Sequence, residues 1–183
     1  YRMIQDSWPE RPIYFARSAV GYPRSLGLEN YVLTQGLAAK LFVPPSAALA
    51  KDTVYIEGDG WLDVARTEAL WRDVFRGHKA VIAEGQWVDR ASVSLPAMYI
   101  FAGAELADAL RSVGKPQDAR AVMGTTRQVA RATDLSDLIR AVDTAFADPR
   151  LGDSVAGVPL RVNAAEQPRV RSSEPGVVVK PKR

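Results

Sequence analysis

The sequence contains no cysteine and one histidine, His78. Without a thiol there is no cysteine nucleophile, iron–sulfur cluster, c-type haem attachment, cysteine zinc site or cysteine-linked lipid anchor. The compartment stays open, because a cysteine-free chain tolerates oxidising and reducing surroundings alike. One histidine removes His-pair metal sites and leaves Ser-His-Asp chemistry only if His78 itself takes part. Long apolar runs are also missing. The longest, 95–104, falls well short of the roughly 20 residues of a spanning helix. Neither the dinucleotide-binding glycine pattern nor the Walker pattern occurs, so no phosphate-cradling loop and no cofactor is expected. The chain begins at Tyr1 rather than Met, and Tyr1-Arg2-Met3-Ile4-Gln5 reads as the middle of something. A processed chain or a fragment is therefore the expectation.

What is present suits one folded domain followed by a tail. The 183 residues are 47% hydrophobic and 25% charged, which is enough to build a core without disulfide staples. The formal net charge is +3, and it is not evenly spread. Residues 161–183 carry Arg161, Arg169, Arg171, Lys180, Lys182 and Arg183 against Glu166 and Glu174, a sum of +4, and the preceding residues sum to −1. That segment also holds Pro168, Pro175, Pro181 and Gly176 and no aromatic residue, so on its own it cannot offset the entropy of ordering. The expected organisation is a single unit over 1–150, with 1–60 mixed and 61–150 helical, then an extended basic tail over 151–183.

Within 1–60, the run 12–16 and the run 37–43, stopped by Pro44-Pro45, read as short strands. Residues 28–33 between them read as a short helix closed by Gly36. A third strand is expected at 53–56, ended by Gly58 and Gly60. From Leu62 the period turns helical, with Val64, Trp71, Val74 and Phe75 on one face and Gly77 as the stop. Residues 80–83 fit a strand or a helical turn equally well. Ser94 is expected as an N-cap with Pro96 in the first turn. Tyr99, Ala102, Leu106, Ala109, Leu110 and Val113 form a stripe ended by Gly114. A second stripe starts after Pro116 with Ala119, Val122, Met123, Thr126 and Ala130. Asp134 then caps a third helix holding Leu135, Leu138, Ile139, Val142 and Phe146.

A connection as short as Gly114-Lys115 makes the first two of these helices antiparallel. Leu106, Ala107, Leu110, Ala119 and Met123 fall where a tetratricopeptide-type hairpin wants apolar and small residues. Gly103 stands where that repeat prefers Trp and Arg131 where it prefers Pro, and there is no second full copy. The fold class expected is α+β and mainly helical: short N-terminal strands packed on a tetratricopeptide-like helical hairpin, a third helix, and an extended tail.

Three strings carry a resemblance. They are Trp8-Pro9-Glu10-Arg11-Pro12-Ile13-Tyr14-Phe15-Ala16, then Leu26-Gly27-Leu28-Glu29-Asn30-Tyr31, then Gly36-Leu37-Ala38-Ala39-Lys40-Leu41 with Pro44. Together they resemble the C-terminal extracytoplasmic region of a bacterial family of multi-spanning, protein O-mannosyltransferase-like membrane proteins with a GT-C type core. The spacing between Trp8 and Arg11 is one residue longer than that family's usual string. The family's catalytic acidic residues lie between early membrane helices, so the resemblance transfers no catalytic role to any position here. It implies a location, the periplasmic or extracytoplasmic face of a bacterial membrane, and a folding unit with tetratricopeptide-like helices.

Other candidate sites carry bland alternatives. Trp8, Arg11, Tyr14 and Tyr31 can form an aromatic and arginine platform for a sugar or lipid head group, or can lock strands onto helices. Glu57-Gly58-Asp59-Gly60 places two carboxylates in a turn and lacks the ligand count of a calcium loop. Asp134 and Asp137 read as a helix cap and His78 as a group at a helix end. No metal, no nucleic acid and no small-molecule substrate is expected. The resulting expectation is a non-enzymatic, membrane-extrinsic subunit that docks on and stabilises an integral membrane complex, with a respiratory or photosynthetic supercomplex as one such host. The alternative is a detached accessory domain of a membrane O-mannosyltransferase-like glycosyltransferase. In the first reading Val177, Val178 and Val179 add to a sheet edge. Arg169, Arg171, Lys180, Lys182 and Arg183 meet acidic loops or anionic lipid head groups.

Overall fold

The computed structural model describes residues 2–19, 21–43, 52–56 and 59–147, with side chains described as far as 144. A short helix α1 (Arg2–Ser7) leads to strand β1 (Tyr14–Ala16), a single 3-10 turn and helix α2 (Gly21–Ser25). Strands β2 (Val32–Gln35), β3 (Ala38–Leu41), β4 (Thr53–Ile56) and β5 (Gly60–Asp63) follow. The helical part consists of α3 (Val64–Ala69), α4 (Gly77–Glu84), α5 (Ser94–Ser112), α6 (Pro116–Ala132) and α7 (Ser136–Ala147). The class is α+β and mainly helical, as the sequence implies.

The five strands form one sheet in the order β1-β3-β2-β5-β4, antiparallel except for the parallel β2–β5 pair. β2 and β3 are joined by Gly36-Leu37, with Gln35 opposite Ala38. Gly36 has φ +68°, and a two-residue hairpin that matches strand twist needs a left-handed residue there. The segment 28–33, expected as a helix, is instead a 3-10 turn (Glu29–Tyr31) running straight into β2. Gly36 closes a hairpin rather than a helix. Helix was also expected from Leu62, but β5 continues to Asp63, and Leu62 pairs with Val54. The helix begins only at Val64, where the Asp63 carboxylate accepts from the Arg66 amide at 2.9 Å. The cap decides the boundary.

One sheet face is apolar. Val54, Ile56 and Leu62 join Val64, Trp71 and the inner faces of α5, α6 and α7 in the main core. Phe15, Val32 and Leu41 form a satellite cluster covered by Ile4, Trp8, Ile13 and Leu28. Helix α5 is the central element, with Ile100, Ala104, Leu106, Ala109 and Leu110 fully buried. Together with its lead-in, Arg90–Ser112, it is long and apolar enough to cross a membrane, with a mean hydropathy of 1.3. Counting unbroken runs hides this length. Packing accounts for the composition, because 56% of that window is buried inside the fold.

The α5–α6 and α6–α7 connections share one device. Gly114 (φ +80°) and Asp134 (φ 57°) are the left-handed residues. After them the Lys115 amide reaches the Leu110 carbonyl and the Leu135 amide reaches the Ala130 carbonyl, each at 2.8 Å. Both are Schellman closures, which satisfy the last carbonyls of a helix. Asp134 therefore ends α6 and is not the N-cap of α7. Ser94 is likewise the first residue of α5 and makes no side-chain cap bond. The expected packing residues Leu106, Ala107, Leu110, Ala119 and Met123 are all buried.

Gly103 is where the hairpin meets the rest of the fold. A Cβ built there would run into the Thr126 hydroxyl and the Trp71 ring. Gly103→Ala should therefore destabilise the fold by about 1–3 kcal/mol through overpacking, seen as a lower urea midpoint at unchanged slope.

Candidate functional site

Three helical stripes converge on a cleft of about 420 Å³ beside that contact. Glu68, Trp71 and Arg72 come from α3 and the turn after it, and His78, Lys79 and Ile82 from α4. Asp118, Ala121, Val122, Thr125 and Gln128 come from α6. Each set follows i, i+3, i+4 spacing, which puts its members on one helix face. After Ala69 the helix widens into a π turn over Leu70–Val74, closed by the Phe75 amide on the Leu70 carbonyl at 2.8 Å. Such single wide turns recur at functional sites. Here the wide turn carries Trp71, 5% exposed, against Gly103. Val74, expected on the inner face, is exposed.

The sequence pattern places His78 as a cap after a helix stop at Gly77. The structure reverses that. Gly77 opens α4, and any side chain there would meet the Tyr99 ring. His78 lies in the first turn and is 1% exposed. Its imidazole stacks on the Trp71 indole, with ring centroids 4.5 Å apart and planes 14° apart, and Tyr99 packs at 5.6 Å. Its Nδ1 is buried with no hydrogen-bond partner. Burial, with Lys79 adjacent, pushes the imidazole pKa down to about 4, so His78 is neutral near pH 7. The rim charges are mutually matched. Lys115 Nζ is 3.2 Å from Glu68, Arg72 pairs with Asp73 at 3.0 Å, and Lys79 Nζ donates to the Arg72 carbonyl at 2.6 Å.

A second cluster of buried polar groups joins the sheet to α5. Arg17, in the turn after β1, pairs with Glu105 in the middle of α5; their side chains are 8% and 7% exposed. Asp59, in the β4–β5 turn, is 3.7 Å from Arg24. Burial raises the Glu105 carboxyl above its ordinary range, with Arg17 opposing and Asp59 adding to the rise. Burial raises Asp59 too, against the pull of Arg17 and Arg24. Glu105 Oε1 and Glu29 Oε2 are buried without partners. Among the described residues no three His, Asp or Glu side chains come together as a metal would need. A larger, arginine-rich concavity of about 730 Å³ lies along α5, α6 and α7, where Arg127 is tied to Asp143 at 2.8 Å.

The residues singled out from sequence do not gather into one site. Trp8 packs onto the Phe15 cluster, whereas Arg11, Tyr14 and Tyr31 are exposed; Tyr14 alternates away from Phe15 on β1. That is the strand-locking role for Trp8 and no joint platform. Asp59 serves the buried cluster, while Glu57 and Gly58 lie outside the described residues. Asp134 pairs with Arg90 at 2.9 Å, and Asp137 pairs with Arg140. Arg169, Arg171, Val177, Val178, Val179, Lys180, Lys182 and Arg183 lie outside the described residues. Trp71 with His78, and Arg17 with Glu105, were not paired by sequence reasoning. No local spacing signals the first pair, because the chain turns extended at Phe75 and the two rings lie on different helices.

No protein-family model, no curated protein and no solved structure matches this chain.

Two outcomes follow from the buried groups. Arg17→Ala should cost about 3–5 kcal/mol in chemical unfolding, because it leaves Glu105 buried without its partner. For His78, the folded pKa of about 4 lies below the unfolded value of 6.5. Its stabilisation is complete above pH 6.5 and is lost as pH falls toward 4. Wild type should lose on the order of 2 kcal/mol relative to His78→Phe over that window, measured by urea unfolding at stepped pH. Asp59 and Glu105 act in the opposite sense in both proteins, so the difference isolates His78.

Proposed function

We propose that the chain is a non-enzymatic, membrane-extrinsic subunit on the periplasmic or extracytoplasmic face of a bacterial membrane. It docks on and stabilises an integral membrane complex, with a respiratory or photosynthetic assembly as the kind of host. The division of charge carries this reading: +4 over 161–183 against −1 before it. A basic segment of that composition is suited to acidic loops or anionic lipid head groups. Val177, Val178 and Val179 with Lys180, Lys182, Arg183, Arg169 and Arg171 are the proposed contacts.

A second reading is an accessory domain of a membrane O-mannosyltransferase-like glycosyltransferase. It is favoured by the way the fold lays out the strings that carry that resemblance: they supply β1 and β3, which pair in the sheet, and the 3-10 turn Glu29–Tyr31 that leads into β2. Membrane helices encoded directly upstream of Tyr1 would select it. Under the docking reading, deleting 162–183 should abolish co-purification with the membrane partner while leaving the thermal unfolding of the body unchanged. Undiminished co-purification would contradict it.

A further inference from the structure

The cleft beside Trp71 has properties that neither docking nor accessory-domain attachment calls for. Its size, about 420 Å³, lies within the range of small-molecule sites. Its floor is apolar: Trp71 and Val122 are 5% and 6% exposed, flanked by Ile82 and Ala121. One wall is the His78 ring, which brings a buried nitrogen with no partner. An unpaired buried polar atom is costly.

The charge pattern narrows the class of ligand. Glu68 and Asp118 balance Arg72 and Lys79 around the opening. Glu68 and Arg72 are already engaged with Lys115 and Asp73. No excess of either sign remains to attract an ion. The imidazole is itself neutral near pH 7, and with Nδ1 sealed off it is Nε2 that can offer a hydrogen bond in this apolar setting.

We propose that this cleft is a binding site for a small uncharged molecule that combines an apolar ring with one hydroxyl or amide group. The ring lies on Trp71, Ile82 and Val122, and the polar group meets His78. This revises the expectation that no small molecule is bound. It is independent of the proposed docking role, since none of its residues lies in 162–183.

The test uses the intact 183-residue chain, labelled with nitrogen-15, and three probes: 4-methylphenol, toluene and 4-methylbenzoate. 4-Methylphenol should produce saturable shifts confined to Trp71, Lys79, Ala121, Gln128 and their neighbours. Toluene, which keeps the ring and lacks the hydroxyl, should bind about tenfold more weakly, the worth of one hydrogen bond. 4-Methylbenzoate should not compete. His78→Phe keeps an aromatic ring against Trp71 and should erase the preference for 4-methylphenol over toluene. Ala121→Trp fills the cleft from an exposed position and should abolish binding with the fold intact; if His78→Phe fails to fold, this variant decides. Shifts that are scattered or fail to saturate, equal binding of the benzoate, or 4-methylphenol binding that survives Ala121→Trp would overturn the proposal.

Discussion

The contact between the Trp71 indole and the bare backbone of Gly103 is the constraint on which the rest depends. Trp71 leaves the sheet side of the molecule on a widened turn, and Gly103 receives it near the middle of α5. Around this seat Tyr99 packs edge-on, His78 stacks on the indole, and the Thr126 hydroxyl turns back to its own Val122 carbonyl at 2.9 Å. A side chain at position 103 would push the tryptophan out. With it would go the angle at which α3 and α4 meet the hairpin. The cleft lies beside this seat, lined from α3 and the turn after it, α4 and α6.

The second tie, Arg17 to Glu105, works differently. Two groups taken out of water pay a desolvation cost that an apolar pair would avoid. Asp59 raises that cost by placing another carboxylate near Glu105. What the pair supplies is direction, because the Glu105 carboxylate on α5 meets the one guanidinium at the end of β1. The sheet is fixed on the hairpin by shape at Trp71 and by charge at Arg17. Both fixings end on α5, at Gly103 and Glu105, and reach it from different elements, the turn after α3 and the turn after β1.

Much of the fold was legible because the helices in 94–147 are long and strongly periodic, and their stripes were read nearly residue by residue. Short elements failed for specific reasons. Residues 28–33 have apolar spacing that suits a turn of helix, but Val32 and Thr34 pair into the sheet, and tertiary pairing overrode the local signal. Gly77 looked like a stop because glycine so often ends helices; its real task is to let the Tyr99 ring approach. With Gly77 misassigned, His78 fell at the wrong end of a helix and its stacking on Trp71 was invisible. Asp134 shows the same ambiguity, since aspartate suits both an N-cap and a left-handed closure. The Arg17–Glu105 pair joins positions 88 apart, which no local pattern reports.

The proposed function joins two levels: a basic segment proposed for attachment, and an aromatic-lined cleft in the body proposed to hold a small uncharged molecule. Its central claim is that Trp71 seats an uncharged, partly unsatisfied imidazole at that cleft. Because His78 is the only histidine, nuclear magnetic resonance titration of its ring tests this without assignment ambiguity. The account requires a neutral ring down to the region of pH 4. A titration midpoint near the ordinary value of 6.5 would mean that the ring is solvated, and would contradict both the Trp71 seat and the site built on it.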